Sequence, residues 1–236
     1  MSSRPPSRSD FLALGSFAMV AASAPAVAAP SPAPSPPAEP LPPLQFDLVR
    51  FDATLKTDAR HRHLFASTKL DGGEALGAMR GTLNAYEDVG VSLRDVRPVA
   101  VFYHGASVLL GFDDAMWDEY FAPLHAAPGK LGRFAADFDT VYAAKKRGNP
   151  RLHKTGGHDD TSIEALVADA DARFFVCDNA TRGFARFIAS QLRKKPAAVY
   201  AALATHLVPS AALIPAGVWA VHAIQERGYT LLQATL

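Results

Sequence analysis

The chain has 236 residues, of which 49% are apolar and 20% are charged, a balance typical of a globular protein with a sizeable core. Its formal net charge is +1 and it has no long run of like charges, which argues against a nucleic-acid-binding protein. One cysteine excludes an internal disulfide, so Cys177 is a buried thiol, an intermolecular bridge or a reactive group.

The first 28 residues have the features of a cleavable secretion signal. Two arginines form a positive start, residues 11–24 are small and apolar, and residues 26–28 give an Ala-x-Ala cleavage site. The start is similar to a twin-arginine signal, but Ser9 stands in place of the second arginine, so both export routes stay open. A membrane anchor is the alternative, although the apolar run is short for a membrane span. We expect a periplasmic or secreted protein with no membrane attachment after cleavage.

Residues 29–44 are dominated by proline, alanine and serine. This composition predicts a polyproline-type linker, because it offers almost no side chains that can build a core. Residues 45–236 then form the folded domain.

Strands and helices alternate along this domain. Apolar runs predict strands at 62–68, 98–103, 173–176, 211–214 and 229–233, with 46–55 as a further strand or an N-terminal arm. Helical spacing and caps predict helices at 74–90, at 113–121, from a capping pair at Thr161 and Glu164, from Cys177 to about 192, at 197–206 and at 216–227. Such alternation predicts an α/β fold with a mostly parallel sheet of about five strands and helices on both faces.

Two strand ends carry candidate functional residues. Cys177 lies where a strand ends and a helix begins, and His104 and Gly105 follow the clearest strand, 98–103. Ligand sites of parallel sheets lie beyond the carboxyl ends of the strands, so we expect these residues to share one edge of the sheet. The sequence does not show that the two strands are neighbours.

The helix start offers chemistry to the thiol. Backbone N–H groups of Asn179 and the next residue, together with the helix dipole, would favour the Cys177 thiolate, which is the reactive form. His104 is a base or, with Gly105, an anion ligand; a plain hydrogen bond to the backbone is the alternative. Arg182 is either a fourth binding residue or a solvated surface residue. An inert, buried Cys177 also remains open, and Asp178 would raise the thiol pKa if it faced the sulfur.

Two histidine clusters are candidates for a metal site. One is formed by His61 and His63, and the other by His153, His158, Asp159 and Asp160. Neither has a ligand set at a known spacing, so we expect no metal and no cofactor.

The order of these features resembles the DsrE/DsrF-type superfamily of small sulfur-relay proteins. The resemblance is carried by Asn84 and Tyr86 in the first long helix, the small-residue turn after strand 98–103, the Val176-Cys177 strand end with Arg182-Gly183 downstream, and the run from Ile214 to Tyr229. It covers roughly residues 60–234, with insertions near 125–160 and 190–205. It departs from the relay proteins at Asp178-Asn179, where they have small residues, and in its export signal.

The resemblance implies a flavodoxin-like three-layer sandwich and a homo-oligomer. It further implies that Cys177 carries sulfur as a persulfide or handles another soft small ligand, with a sulfur-containing ligand or a sulfur-relay partner. An exported branch of the superfamily, with no assigned chemistry, is the closer match. The alternative is a non-enzymatic periplasmic binding or assembly module in which Cys177 is buried and inert.

Overall fold

The computed structural model describes residues 40–127, 129, 131–135, 138 and 148–233. The chain divides into two units, Met1–Ala38 and Glu39–Leu236, and all described residues belong to the second. The predicted signal and residues 29–39 of the linker lie outside the described residues.

Five parallel strands form one sheet in the order β4-β3-β2-β1-β5. The strands are β1 His61–Ser67, β2 Val96–Phe102, β3 Arg173–Cys177, β4 Ala211–Ile214 and β5 Thr230–Gln233. The central strands β2 and β3 are almost entirely buried, as continuous apolar runs predict for strands covered on both faces. The predicted α/β sandwich with about five strands is confirmed.

Helices connect and cover the strands. They are α1 Leu48–Leu55, α2 Glu74–Asp88, α3 Asp114–Met116, α4 Ala122–His125, α5 Ile163–Ala170, α6 Asp178–Leu192, α7 Pro196–Thr205 and α8 Gly217–Glu226. A π-helical turn, Trp117–Phe121, joins α3 to α4, and 3-10 turns occur at Asp71–Gly73, Leu93–Asp95, Gly105–Gly111 and Gly132–Phe134. Within the described ranges, no helix combines the length and apolarity that crossing a bilayer requires.

Two local predictions differ from the structure. Residues 46–55, predicted as a strand or arm, contain α1, because the Asp47 carboxylate accepts hydrogen bonds from the N–H groups of Val49 and Arg50 at 2.9 and 3.1 Å. Ser162 rather than Thr161 caps α5, through a 3.2 Å bond from the Ala165 N–H. The helix predicted at 197–206 is confirmed as α7, which packs in the core.

The two faces of the sheet carry different parts of the chain. Successive strand residues point to opposite faces, so Phe174 joins a core with α2, α5, α6 and α7, whereas Phe175 joins a core with α1 and α8. The chain steps across the sheet from β1 to β4 on the first face and returns through α8 on the second, to place β5 beside β1.

This return path determines where a crevice opens. The flavodoxin-like layering is confirmed, but the strand order 4-3-2-1-5 differs from the 2-1-3-4-5 order of flavodoxin itself. The loops after β3 and β4 lead to opposite faces of the sheet. Because neighbouring loops diverge there, the carboxyl ends of β3 and β4 flank the crevice in which ligands bind in such folds.

Candidate functional site

A cavity of about 660 Å³ lies at this crevice. The segments at the ends of β2, β3 and β4 contribute His104 and Gly105, Cys177 and Asn179, and Gly217, respectively. Four of the five residues predicted for the site therefore line one cavity, and Cys177, from a strand next to that of His104, is one of them. The volume of the cavity is within the usual range of small-molecule sites.

Cys177 is the last residue of β3 and the N-cap of α6. Its side chain makes no capping bond to α6. Instead, the sulfur accepts a hydrogen bond from the Gly217 N–H, at 3.3 Å from nitrogen to Sγ. Gly217 is the first residue of α8. The sulfur therefore lies at the N-termini of two helices, whose partial positive charges both favour an anion. The residue is 6% exposed.

Gly217 is a site residue that the sequence did not indicate as functional. A Cβ atom at this position would lie 2.0 Å from the Cβ of Tyr103, just after β2, so no other residue fits without displacing the backbone. This close approach brings the start of α8 to the Cys177 sulfur. The only sequence signal is the run of small residues after β4, and that run names no partner.

Asp178 does not direct its charge at the thiol. Its buried carboxylate accepts hydrogen bonds from the Tyr200 hydroxyl at 2.6 Å and from Nε of Arg182 at 2.5 Å. The hydrogen bond to Asp178 raises the pKa of Arg182. Burial, reinforced by Asp178, raises the pKa of Tyr200 to about 12. The negative charge beside the sulfur is thus already paired with a neighbouring cation.

Arg182, the fifth predicted site residue, does not line the cavity. Its guanidinium lies 4.4 Å from the centre of the Tyr200 ring and donates a hydrogen bond to the Pro42 carbonyl at 2.7 Å. Arg182 therefore ties the start of α6 to α7 and to the segment before α1. The spacing of four residues between Asp178 and Arg182 is a sequence signal that fits this pair.

His104 has an unusual backbone and an unengaged side chain. Its φ of 63° and ψ of 154° lie in a region that residues other than glycine rarely adopt. The backbone carbonyl accepts a hydrogen bond from Ser107 Oγ at 3.0 Å. The imidazole lies 5.1 Å from the Tyr103 ring and makes no hydrogen bond to any described residue. It is exposed to the cavity and available to a ligand.

His153 and Asp160, from the second histidine cluster, are bonded to residues outside that cluster. His153 lies between two carboxylates, with Nε2 2.6 Å from Asp114 Oδ2 and Nδ1 3.1 Å from Glu164 Oε1. The bond to Asp114, supported by Glu164, raises the pKa of His153. Burial alone would raise the pKa of Asp160, but hydrogen bonds from three N–H groups, on Ser162, Gly156 and Thr155, outweigh it and keep the pKa below its usual range.

The other histidine pair is also engaged. His63 Nε2 lies 2.9 Å from the Tyr86 hydroxyl, and the His61 ring lies 4.5 Å from the Tyr86 ring. Burial, and the charge of His61, lower the pKa of His63. Across the described part of the chain, no group of three or more His, Cys, Asp or Glu side chains is arranged to hold a metal ion.

Comparisons with known proteins add no relative. No protein-family model matches the chain, and neither a curated protein nor a solved structure does.

The cavity combines one soft nucleophile with one backbone hydrogen-bond donor, at a point where two helices begin. The thiolate form of Cys177, or a persulfide anion formed on it, would be stabilised by the Gly217 N–H and by two helix dipoles without any charged partner. This arrangement suits chemistry at sulfur.

Proposed function

We propose that the protein is an exported carrier that accepts sulfane sulfur on Cys177 as a persulfide. The observation that carries the proposal is the hydrogen bond from the Gly217 N–H to the Cys177 sulfur, inside a cavity into which a second molecule fits. The open cavity and the starts of two helices support a role for the sulfur beyond filling the core.

The reaction needs no cofactor. The Cys177 thiol loses its proton to water or to the unengaged His104 imidazole. The thiolate then attacks the terminal sulfur of a donor persulfide, R–S–SH. A new sulfur–sulfur bond forms on Cys177 as the donor's bond breaks, and the donor leaves as R–S⁻. Electrons balance because one persulfide replaces another, and transfer to an acceptor reverses the steps.

The surroundings of the sulfur favour this exchange. Low exposure shields a persulfide from bulk oxidants, which would carry it toward irreversible oxidation products. The paired charge of Asp178 leaves the helix dipoles as the main electrostatic influence on the sulfur.

Intact-mass spectrometry tests the proposal. After incubation with inorganic polysulfide, we expect the native protein to gain one sulfur atom, about 32 Da, and to lose it on reduction. Cys177→Ser is the matched control, because it keeps the size of the side chain and removes the thiol. An unmodified wild-type protein, or an equal adduct on the serine variant, would rule the carrier out.

A binding or assembly module with an inert thiol is the second candidate, and the 6% exposure of Cys177 favours it. Thiol-reagent labelling separates the two. Labelling of the native protein on the timescale of a free thiol supports the carrier. Labelling only after denaturation supports the inert thiol.

The exported DsrE-like assignment belongs to the same proposal. Its support is the signal-like start, the spacing of strands and helices, and the Val176-Cys177 strand end with Arg182-Gly183 downstream. We also propose self-association, which is supported by exposed apolar side chains on the edge strand β5, where Leu231 and Leu232 are 37% and 48% exposed.

A further inference from the structure

The cavity at Cys177 has two chemically different ends. Its polar end holds the sulfur, the Gly217 N–H and Asn179. Its other end is a wall of three aromatic rings, Phe134, Phe184 and Phe187.

The three rings form one continuous surface. Phe134 lies 5.0 Å from Phe184 and 5.4 Å from Phe187, measured between ring centres. Phe184 and Phe187 are 6.1 Å apart and nearly perpendicular. Edge-to-face clusters of this kind present both ring faces and ring edges to a neighbouring group, which suits an aromatic or branched hydrocarbon.

The described lining of the cavity contains no Asp, Glu, Lys or Arg side chain. The charges of Asp178 and Arg182, which flank the cavity residues Asn179 and Ala180 in the chain, are paired with each other. A ligand with carboxylates or ammonium groups would have to bury them against phenyl rings without partners, which is costly.

From these two ends we infer that the sulfur donor is an apolar organic persulfide. Its hydrocarbon group packs on the wall formed by Phe134, Phe184 and Phe187, and its terminal sulfur meets Cys177. The inference rests on the proposed function and specifies its substrate class. Cys177 takes the terminal sulfur, the sulfur–sulfur bond of the donor breaks, and the apolar thiolate that leaves takes a proton from water. A volume of about 660 Å³ accommodates a body much larger than hydrogen sulfide or thiosulfate.

Two donors that differ in the group carrying the sulfur test the substrate class. We expect benzyl persulfide to load Cys177 about tenfold faster than glutathione persulfide, which carries several charges. The same two donors, applied to the urea-unfolded chain, correct for their intrinsic reactivities. Equal corrected rates would overturn the inference and leave the carrier function intact.

Binding without chemistry makes the test independent of sulfur transfer. In the Cys177→Ser protein, we expect benzyl mercaptan, and not glutathione, to bind in a calorimetric titration. If benzyl mercaptan fails to bind, the apolar site is refuted. If it binds but neither persulfide loads the wild type, the apolar site stands and the carrier function fails.

Phe187 is the residue of choice for the variants, because it is only half-buried. Phe187→Asp should weaken benzyl mercaptan binding about tenfold, and Phe187→Leu, which keeps an apolar side chain and so preserves the fold, about threefold. Phe46→Asp is the matched control. Phe46 is also half-buried, but it packs on Trp219 and Phe51 at the other face of the sheet. If Phe46→Asp weakens binding as much as Phe187→Asp, the assignment to the wall is wrong.

Discussion

Two polar regions of the molecule, each containing a histidine, differ in how fully their groups are paired. Around His153, both ring nitrogens and the facing carboxylates of Asp114 and Glu164 are bonded to one another. In the cavity, by contrast, the His104 imidazole bonds to no described residue, and the thiol of Cys177 has a single N–H donor.

The difference separates a structural cluster from a candidate site. A cluster that stabilises the fold satisfies its own polar groups, because each group left unpaired costs free energy. A site that binds a ligand keeps groups free for it, and it often carries backbone strain as well. Of these two regions, only the cavity combines unbonded polar groups with a positive φ, that of His104.

The largest effect is expected from a substitution that blocks the close contact between the start of α8 and Tyr103, just after β2. Gly217→Ala places a Cβ against Tyr103, and we expect it to lower the free energy of unfolding by about 3 kcal/mol. Urea denaturation measures the change. Gly77→Ala is the control: it lies in α2, its Cβ would meet nothing within 4 Å, and it should raise stability by up to about 1 kcal/mol. A Gly217→Ala protein as stable as the wild type would contradict the close contact.

A smaller effect is expected from relieving the strain at His104. His104→Gly should raise the free energy of unfolding by about 1 kcal/mol, since glycine adopts this backbone conformation freely. His153→Gly is the comparison, because φ is not positive at His153 and its side chain is bonded, so it should lower stability. If both variants lose stability, the contrast between the two regions is not one of strain.

The smallest effect depends on pH and concerns His153. Its raised pKa means that the folded state binds the proton more tightly, so the stabilisation is full below the unfolded pKa and is lost as pH rises through the folded value. His153→Asn should therefore cost less than about 1 kcal/mol at low pH, because 48% of the side chain is exposed, and almost nothing at high pH. Urea denaturation of both proteins at about pH 5.5 and pH 8.5 checks this. A pH-independent difference would show that the ion pairs contribute nothing.

Much of the fold followed from local patterns. The apolar runs of β2 and β3 indicated buried parallel strands, and the alternation of elements indicated the sandwich. Helix α1 was missed because a few alternating apolar residues outweighed the cap at Asp47, a side chain that also suits turns.

The site was predictable only where local patterns indicate it. Strand ends placed His104 and Cys177 at one edge, but the contribution of Gly217 depends on packing between α8 and Tyr103, residues far apart in the chain. The aromatic wall draws Phe134 from the region treated as an insertion. Contacts of this kind arise from the tertiary fold and leave little local pattern.

The Cys177 side chain makes no capping bond to α6, and this has a consequence for which residues suit the position. As N-cap of α6 it forgoes the capping bond that Ser, Asp or Asn would make, a difference of about 1 kcal/mol. Any of these three residues would therefore serve the helix better than the cysteine does. Serine at this position would exchange the hydrogen bond from the Gly217 N–H to the sulfur for a capping bond to α6, so stability alone does not require a thiol here.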